Sequence, residues 1–126
     1  MRALLSHNVL HTVLQVVGLD RGVARLVQRA THLLGEDTVV VVTPDNGGSV
    51  WFGGNNAPLR SGKLTPFEGG VRVPALVVDL GGRRVVRGGE VASLVHMADW
   101  LPTFLEWSGV AWEGLGLDGV SQVLVQ

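Results

Sequence analysis

Three side chains near the middle of this 126-residue chain have the types and spacing to do ionic chemistry: Asp45, Asn46 and Lys63. Asp45 and Asn46 put two oxygen donors side by side, directly after the apolar run Val39–Val42 and the helix- and ladder-breaking Pro44. Adjacent carboxylate and amide oxygens suit a hard cation such as Ca²⁺ or Mg²⁺. Pro44-Asp45-Asn46-Gly47-Gly48 is equally good turn chemistry, since Asp and Asn tolerate left-handed backbone and glycine supplies positive φ. Lys63 is the only lysine, against nine arginines. Its compact charge and three donors fit an oxyanion such as sulfate or phosphate, and a solvated loop lysine is the plainer alternative. A nucleotide phosphate loop is excluded: Leu64 follows Gly62-Lys63, and Ala57 stands where the first glycine is required.

Other pairings favour structural roles. Glu68 and Arg72 read as an ion pair bracing the loop rather than as ligands. His96 and Asp99 invite a catalytic reading, but capping and backbone hydrogen bonding suit that spacing better. His7 and His11 have the i, i+4 spacing of a shared helix face but no third ligand or intervening Glu, so they read as surface or terminal histidines. Arg83, Arg84 and Arg87 beside Gly81-Gly82 read as an exposed turn, too short and too poor in aromatics for an anionic polymer.

The elements around these residues follow from hydrophobic period. Over residues 10–34 apolar side chains recur at three- and four-residue steps, which predicts a helix, with Arg21, Arg25 and Arg29 on a solvated face. Gly18 and Gly22 predict a kink or break in its middle, and Gly35 a left-handed end. The unbroken β-branched run Val39–Val42 predicts a parallel strand buried on both faces, whose carboxyl end is where open α/β sheets bind ligands. Residues 44–70 have no period of 2 or 3.6, yet Trp51, Phe52, Leu59, Leu64 and Phe67 interleave them, which predicts an ordered functional loop. A second strand is expected within residues 71–80, with Pro74 marking an edge, a bulge or its true start. Asp99 is expected to cap a helix reaching about residue 108, with Pro102 in its first turn, Gly109 past its end and Leu101, Phe104, Leu105 and Ser108 facing inward. The tail over residues 110–126 is loosely specified.

Taken in order, Thr43-Pro44-Asp45-Asn46-Gly47-Gly48, then Gly53-Gly54-Asn55-Asn56 with Pro58-Leu59-Arg60 and Gly62-Lys63, then Glu68-Gly69-Gly70-Val71-Arg72-Val73-Pro74, closely resemble the sulfatases, in particular the arylsulfatase branch of the alkaline-phosphatase-like superfamily. Leu19-Asp20-Arg21-Gly22-Val23 upstream, and His96-Met97-Ala98-Asp99-Trp100-Leu101-Pro102-Thr103 and Leu117-Asp118-Gly119-Val120 downstream, extend the resemblance over residues 12–121, with residues 1–11 outside it. It implies the later part of a sulfatase catalytic domain in an α/β mixed-sheet sandwich. It implies Asp45 and Asn46 as ligands of a divalent cation, usually Ca²⁺, and Lys63 as the contact to the substrate sulfate. The family hydrolyses sulfate esters at a formylglycine made from Cys or Ser in a C/S-x-P-S/A-R motif. This chain has no Cys and no Ser-x-Pro, and the family's early Asp-Asp metal pair and upstream Lys and His precede the matched region. Hydrolysis by these residues alone is therefore not expected. The alternative is a non-catalytic chain that associates with a protein partner or with itself. Phosphodiesterases and phosphonate hydrolases of the superfamily share the metal-bearing loops, so the natural substrate stays open.

Composition agrees. A mean hydropathy of +0.32 with 46% hydrophobic residues indicates a core-forming chain, yet two strands and two helices are too few to cover a central strand, so the α/β domain is expected to be incomplete. A net charge of −1 gives no support for nucleic acid or an anionic membrane as partner. No apolar stretch reaches the roughly 18 residues that span a bilayer. His11, Thr12 and Gln15 interrupt the first apolar run and no cleavage site follows, so no signal peptide is expected, although the family is commonly lysosomal, secreted or periplasmic. Without cysteine, disulfides and thiol chemistry are excluded and no compartment is indicated.

Overall fold

The structure, a computed structural model, describes residues 7–85 and 88–123, and side chains from residue 11 onward. The chain divides into two compact units, Met1–Leu80 and Gly81–Gln126. The first contains helix α1 (His7–Leu34), strand β1 (Val39–Val42), a single 3₁₀ turn (Val50–Phe52), the four-residue helix α2 (Glu68–Val71) and strand β2 (Leu76–Asp79). The second contains a 3₁₀ turn (Met97–Asp99) running into helix α3 (Trp100–Trp107).

Helix α1 is continuous for 28 residues. No break falls at Gly18 or Gly22, because Leu, Ala, Gln and Arg around them favour helix by enough to carry two weak positions. Gly35 ends the helix at φ 74°, its N–H donating to the Thr31 carbonyl at 3.0 Å. Thr38 Oγ1 donates back to the Gly35 carbonyl and fixes the turn into β1.

The strand direction differs from expectation. β1 pairs with β2 antiparallel, Val39 opposite Asp79 and Val42 opposite Leu76. An unbroken β-branched run reports that a strand suits apolar cover on both faces; it carries no information about the neighbour's direction. That is set by the connection, and the loop from residue 43 returns the chain alongside β1 without a crossover helix. The predicted second strand is also shorter: α2 takes Val71, Pro74 precedes the ladder, and pairing starts at Leu76. Pro74 still contributes, since its carbonyl accepts from Thr43 Oγ1 at 3.0 Å and ties the two strand ends together.

Packing is unusual. Among the described residues the buried positions are Gly62, Gly69, Gly70, Asp79, Asp99, Pro102, Thr103 and Gly119, with no Val, Leu, Met, Phe or Trp. Val39, Val40 and Val41 are only half-buried, so neither face of β1 is sealed as the run predicts. Backbone-on-backbone contact, rather than interdigitated aliphatic side chains, organises each unit. The α/β class stands, as helices with a small two-stranded sheet.

Candidate functional site

The loop from Thr43 to β2 is ordered by one side chain that the sequence places in a motif but gives no role, Asn56. Asn56 accepts from Gly48 N at 2.8 Å, donates to the Gly48 carbonyl at 2.8 Å and donates to the Ser61 carbonyl at 3.0 Å. A primary amide matches a peptide group donor for acceptor, so Asn56 stands in for a missing strand against Gly48. A second clamp runs from Gly47 N to the Gly70 carbonyl at 2.9 Å. A Cβ at Gly47 would lie 1.8 Å from the Gly69 carbonyl oxygen, so only glycine allows this approach. The signal available in the sequence was the Gly-Gly pair on each side.

These clamps set where the predicted residues lie. Asp45 and Asn46 follow β1 and Pro44, Asp45 exposed and Asn46 half-buried. The Lys63 backbone N–H donates to the Gly48 carbonyl at 3.2 Å, which brings the lysine's main chain to within two residues of Asn46 along the facing segment. Lys63 is exposed and is flanked by Ser61 at φ 67° and Leu64 at φ 72°. Left-handed backbone at a bulky, exposed leucine is uncommon and costs about 1–2 kcal/mol. The strain is held by Thr65, whose N and Oγ1 both donate to the Gly62 carbonyl. Among the described residues no side-chain hydrogen bond or ion pair engages Asp45, Asn46 or Lys63.

Glu68 and Arg72 do pair, Arg72 Nη1 to Glu68 Oε2 at 3.3 Å, but from the first residue of α2 to the residue just past its end, with side chains 60% and 66% exposed. An ion pair so solvated stabilises little, so the brace expected there is supplied by Gly47, Asn56 and Gly69 instead. Nearby, the Arg60 guanidinium sits 3.8 Å from the Phe67 ring centroid, and Arg60 O accepts from Gly69 N at 2.8 Å.

In the second unit Asp99 is a structural hub. Its Oδ2 accepts from His96 N at 2.8 Å and from Gln122 Nε2 at 3.0 Å, while Oδ1 accepts from Val120 N at 3.0 Å. The N-cap is His96, whose Nδ1 accepts from Ala98 N at 3.2 Å, and Asp99 closes the reciprocal half of a capping box. Asp99 is the N-cap position of α3, as expected, but its side chain makes no cap to that helix; the capping side chain is His96, at the start of the 3₁₀ turn that leads into it. Above all the Val120 N–H, then the His96 N–H, hold the Asp99 carboxyl below its usual range, outweighing the opposing effect of burial. Leu101, Phe104 and Ser108 are exposed rather than inward. The buried face of α3 is Pro102 and Thr103, with Thr103 Oγ1 donating to Asp99 O at 2.6 Å and accepting from Gln122 N at 3.0 Å. The tail is thus tied down through Val120 and Gln122, and Gly119 permits it: a Cβ there would lie 2.1 Å from the Ala98 carbonyl oxygen. Arg84 is half-buried and donates from Nε to the Trp107 carbonyl at 3.1 Å, so it is not part of an exposed turn; Arg87 lies outside the described residues, as does the His7 side chain.

The donor set at Asp45-Asn46 fits calcium in kind, two hard oxygens, but not in number, since Ca²⁺ takes six to eight. No cluster of three His, Cys, Asp or Glu that could hold a metal occurs among the described residues. Water or other protein groups would have to complete such a shell.

Comparison with known proteins shows the family. The Sulfatase family model matches residues 8–110, and the chain belongs to the sulfatase family. It is 42% identical to arylsulfatase A of Bos taurus over 107 residues, 81% of this chain and 20% of that protein. It is 36% identical to arylsulfatase J of Mus musculus over 66% of this chain and 14% of that protein, and 34% identical to N-acetylgalactosamine-6-sulfatase of Canis lupus familiaris over 74% and 18%. Among solved structures, Ps i-CgsB in complex with k-i-k-neocarrahexaose superposes with a TM-score of 0.73 at 37% identity, over 83% of this chain and 23% of that one. The chain spans about a fifth or less of the curated relatives it matches, so it represents only part of a full-length sulfatase. Its α/β fold is a part of the alkaline-phosphatase-like sulfatase fold. No helix of the described residues is long and apolar enough to cross a membrane.

Proposed function

We propose that the chain carries the cation- and sulfate-contacting loop of a sulfuric ester hydrolase of the arylsulfatase type, within the later part of its catalytic domain. Asp45 and Asn46 would hold Ca²⁺ and Lys63 would contact the sulfate. The observation that carries this is the clamp that lays Lys63 N against Gly48 O, close in the chain to Asn46, within a family-matched segment. A cation bound there supplies positive charge toward a sulfate oxygen. Lys63 would neutralise a second oxygen and fix the ester's orientation. The family's nucleophile is absent from these residues: there is no Cys and no Ser-x-Pro from which a formylglycine could be made. The 126 residues alone are therefore expected to bind and not to turn over.

The test is a terbium or calcium titration of the chain followed by luminescence or calorimetry, beside an assay with 4-nitrophenyl sulfate. Metal binding that is weakened at least tenfold by Asp45→Ala, with no hydrolysis, supports the assignment. Turnover by the chain alone, or metal binding indifferent to Asp45→Ala, refutes it. One observation favours a second role beside the first: the apolar side chains of α1 are open, Leu26 and Leu33 each 65% exposed, which suits association with a protein partner or a second copy.

A further inference from the structure

Two large aromatic side chains stand open beside the Lys63 loop. The 3₁₀ turn Val50–Phe52 leaves Trp51 84% and Phe52 78% exposed. The turn is closed by backbone hydrogen bonds. Ser49 O accepts from Phe52 N at 3.2 Å and from Gly54 N at 2.8 Å, and Gly53 closes the turn at φ 89°. At its base, Val50 Cγ1 lies 3.5 Å from the position a Cβ would take on Gly62, the residue before Lys63. The segment before it, Gly48, is the one that both Asn56 and Lys63 N engage. An indole is thus carried on a turn whose base, Val50, lies beside Gly62, the residue before the lone lysine. A cation for an anionic group and a flat apolar face for whatever bears that group are the two halves of a subsite for a ring carrying a sulfate.

We propose that Trp51, with Phe52 beside it, is the stacking platform for the ring of the sulfate ester, a specificity-determining contact that rests on Lys63 being the sulfate contact. The recognised chemistry is an apolar ring face adjoining a sulfate, which either an aromatic ring or a pyranose offers. Stacking on an exposed aromatic of this kind changes affinity about 3- to 10-fold.

The experiment is an NMR titration of the ¹⁵N-labelled chain in Ca²⁺ at low salt with sodium sulfate, 4-nitrophenyl sulfate and galactose 6-sulfate in turn. Trp51→Ala assigns the Trp51 indole resonance by its disappearance, and its unchanged amide spectrum elsewhere checks the fold. The expected result is that at least one ester shifts the Trp51 indole and binds about 3- to 10-fold tighter than inorganic sulfate. Trp51→Ala removes that advantage and leaves inorganic sulfate unaffected, while Lys63→Ala weakens all three. Preference for the nitrophenyl ester marks an aryl ring as the occupant, and preference for the galactose ester a sugar. Esters binding no better than sulfate, or an advantage that survives Trp51→Ala, overturns the platform and leaves Lys63 standing. If sulfate itself neither binds nor responds to Lys63→Ala, the lysine assignment falls and the platform with it.

Discussion

At the scale of single residues, two polar side chains hold more structure than any apolar one. Asn56 makes three hydrogen bonds to backbone that no other side chain engages, two to Gly48 and one to Ser61. Replacing it with Ala leaves those groups without that partner, and the expected loss is about 2–3 kcal/mol, read by urea unfolding. Hydrogen exchange gives the sharper check, because the amides of Gly48 and Lys63 should lose protection while those of α1 do not. Asn56→Asp keeps the acceptor for Gly48 N but removes both donors, so it should be no better than Ala; an Asp variant as stable as the parent would sink this account of the loop. Asp99 makes a pH-dependent prediction. Its carboxyl is held below the ordinary value, so the native state favours the charged form. Its stabilisation is fully present above the unfolded-state value near 3.9, and is lost as pH falls through the lower folded-state value. Asp99→Asn should flatten that acid limb, monitored by the α3 tryptophans, while leaving the protein less stable at neutral pH.

At the scale of elements, α1 offers a clean test of backbone preference. Nothing lies within 4 Å of a Cβ added at Gly18 or Gly22. Each substitution to Ala should stabilise the helix by about 0.5–1 kcal/mol, with increased ellipticity at 222 nm and a higher melting temperature. Unchanged or lower stability would mean that these glycines meet a surface not seen in this chain. The same helix shows what sequence reveals and what it hides. Its extent was legible to within a few residues because period and the Gly35 terminator are local signals. The end of α3 at Gly109 was legible for the same reason. Strand direction, the inward face of α3 and the docking of the tail were not, because each depends on a partner distant in sequence: Leu76–Asp79 for β1, and Val120 and Gln122 for Asp99 and Thr103. Asp45, Asn46 and Lys63 were singled out by residue type and motif order. The loop that lays Lys63 N on Gly48 O rests on Asn56, a residue of the Gly-rich motif whose own role the motif does not reveal.

At the scale of the whole molecule, the apolar composition has nowhere to go within these residues. The sequence carries 46% hydrophobic residues, yet no Val, Leu, Met, Phe or Trp is buried among the described ones. Leu19, Leu26 and Leu33 recur every seven residues along α1 and are 66%, 65% and 65% exposed, with Val16 at 59% one turn from the first. Burying one such leucine stabilises a protein by about 1.5–3 kcal/mol, so a seam of them exposed to water forgoes a sum comparable to the entire stability of a domain. The relatives, of which this chain spans a fifth or less, have the length to cover such a seam. Alone at tens of micromolar, the chain should therefore bind a hydrophobic dye and sediment as species larger than its 13.4 kDa mass. Glu at both Leu26 and Leu33 places charge in that seam and should shift the distribution toward monomer and reduce dye fluorescence, with α1 ellipticity retained, since Glu is nearly as good a helix former as Leu. A parent chain that sediments as a 13.4 kDa monomer without binding dye would mean that these side chains are covered by the chain itself. Loss of ellipticity in the double variant, with assembly unchanged, would place the associating surface elsewhere than on α1.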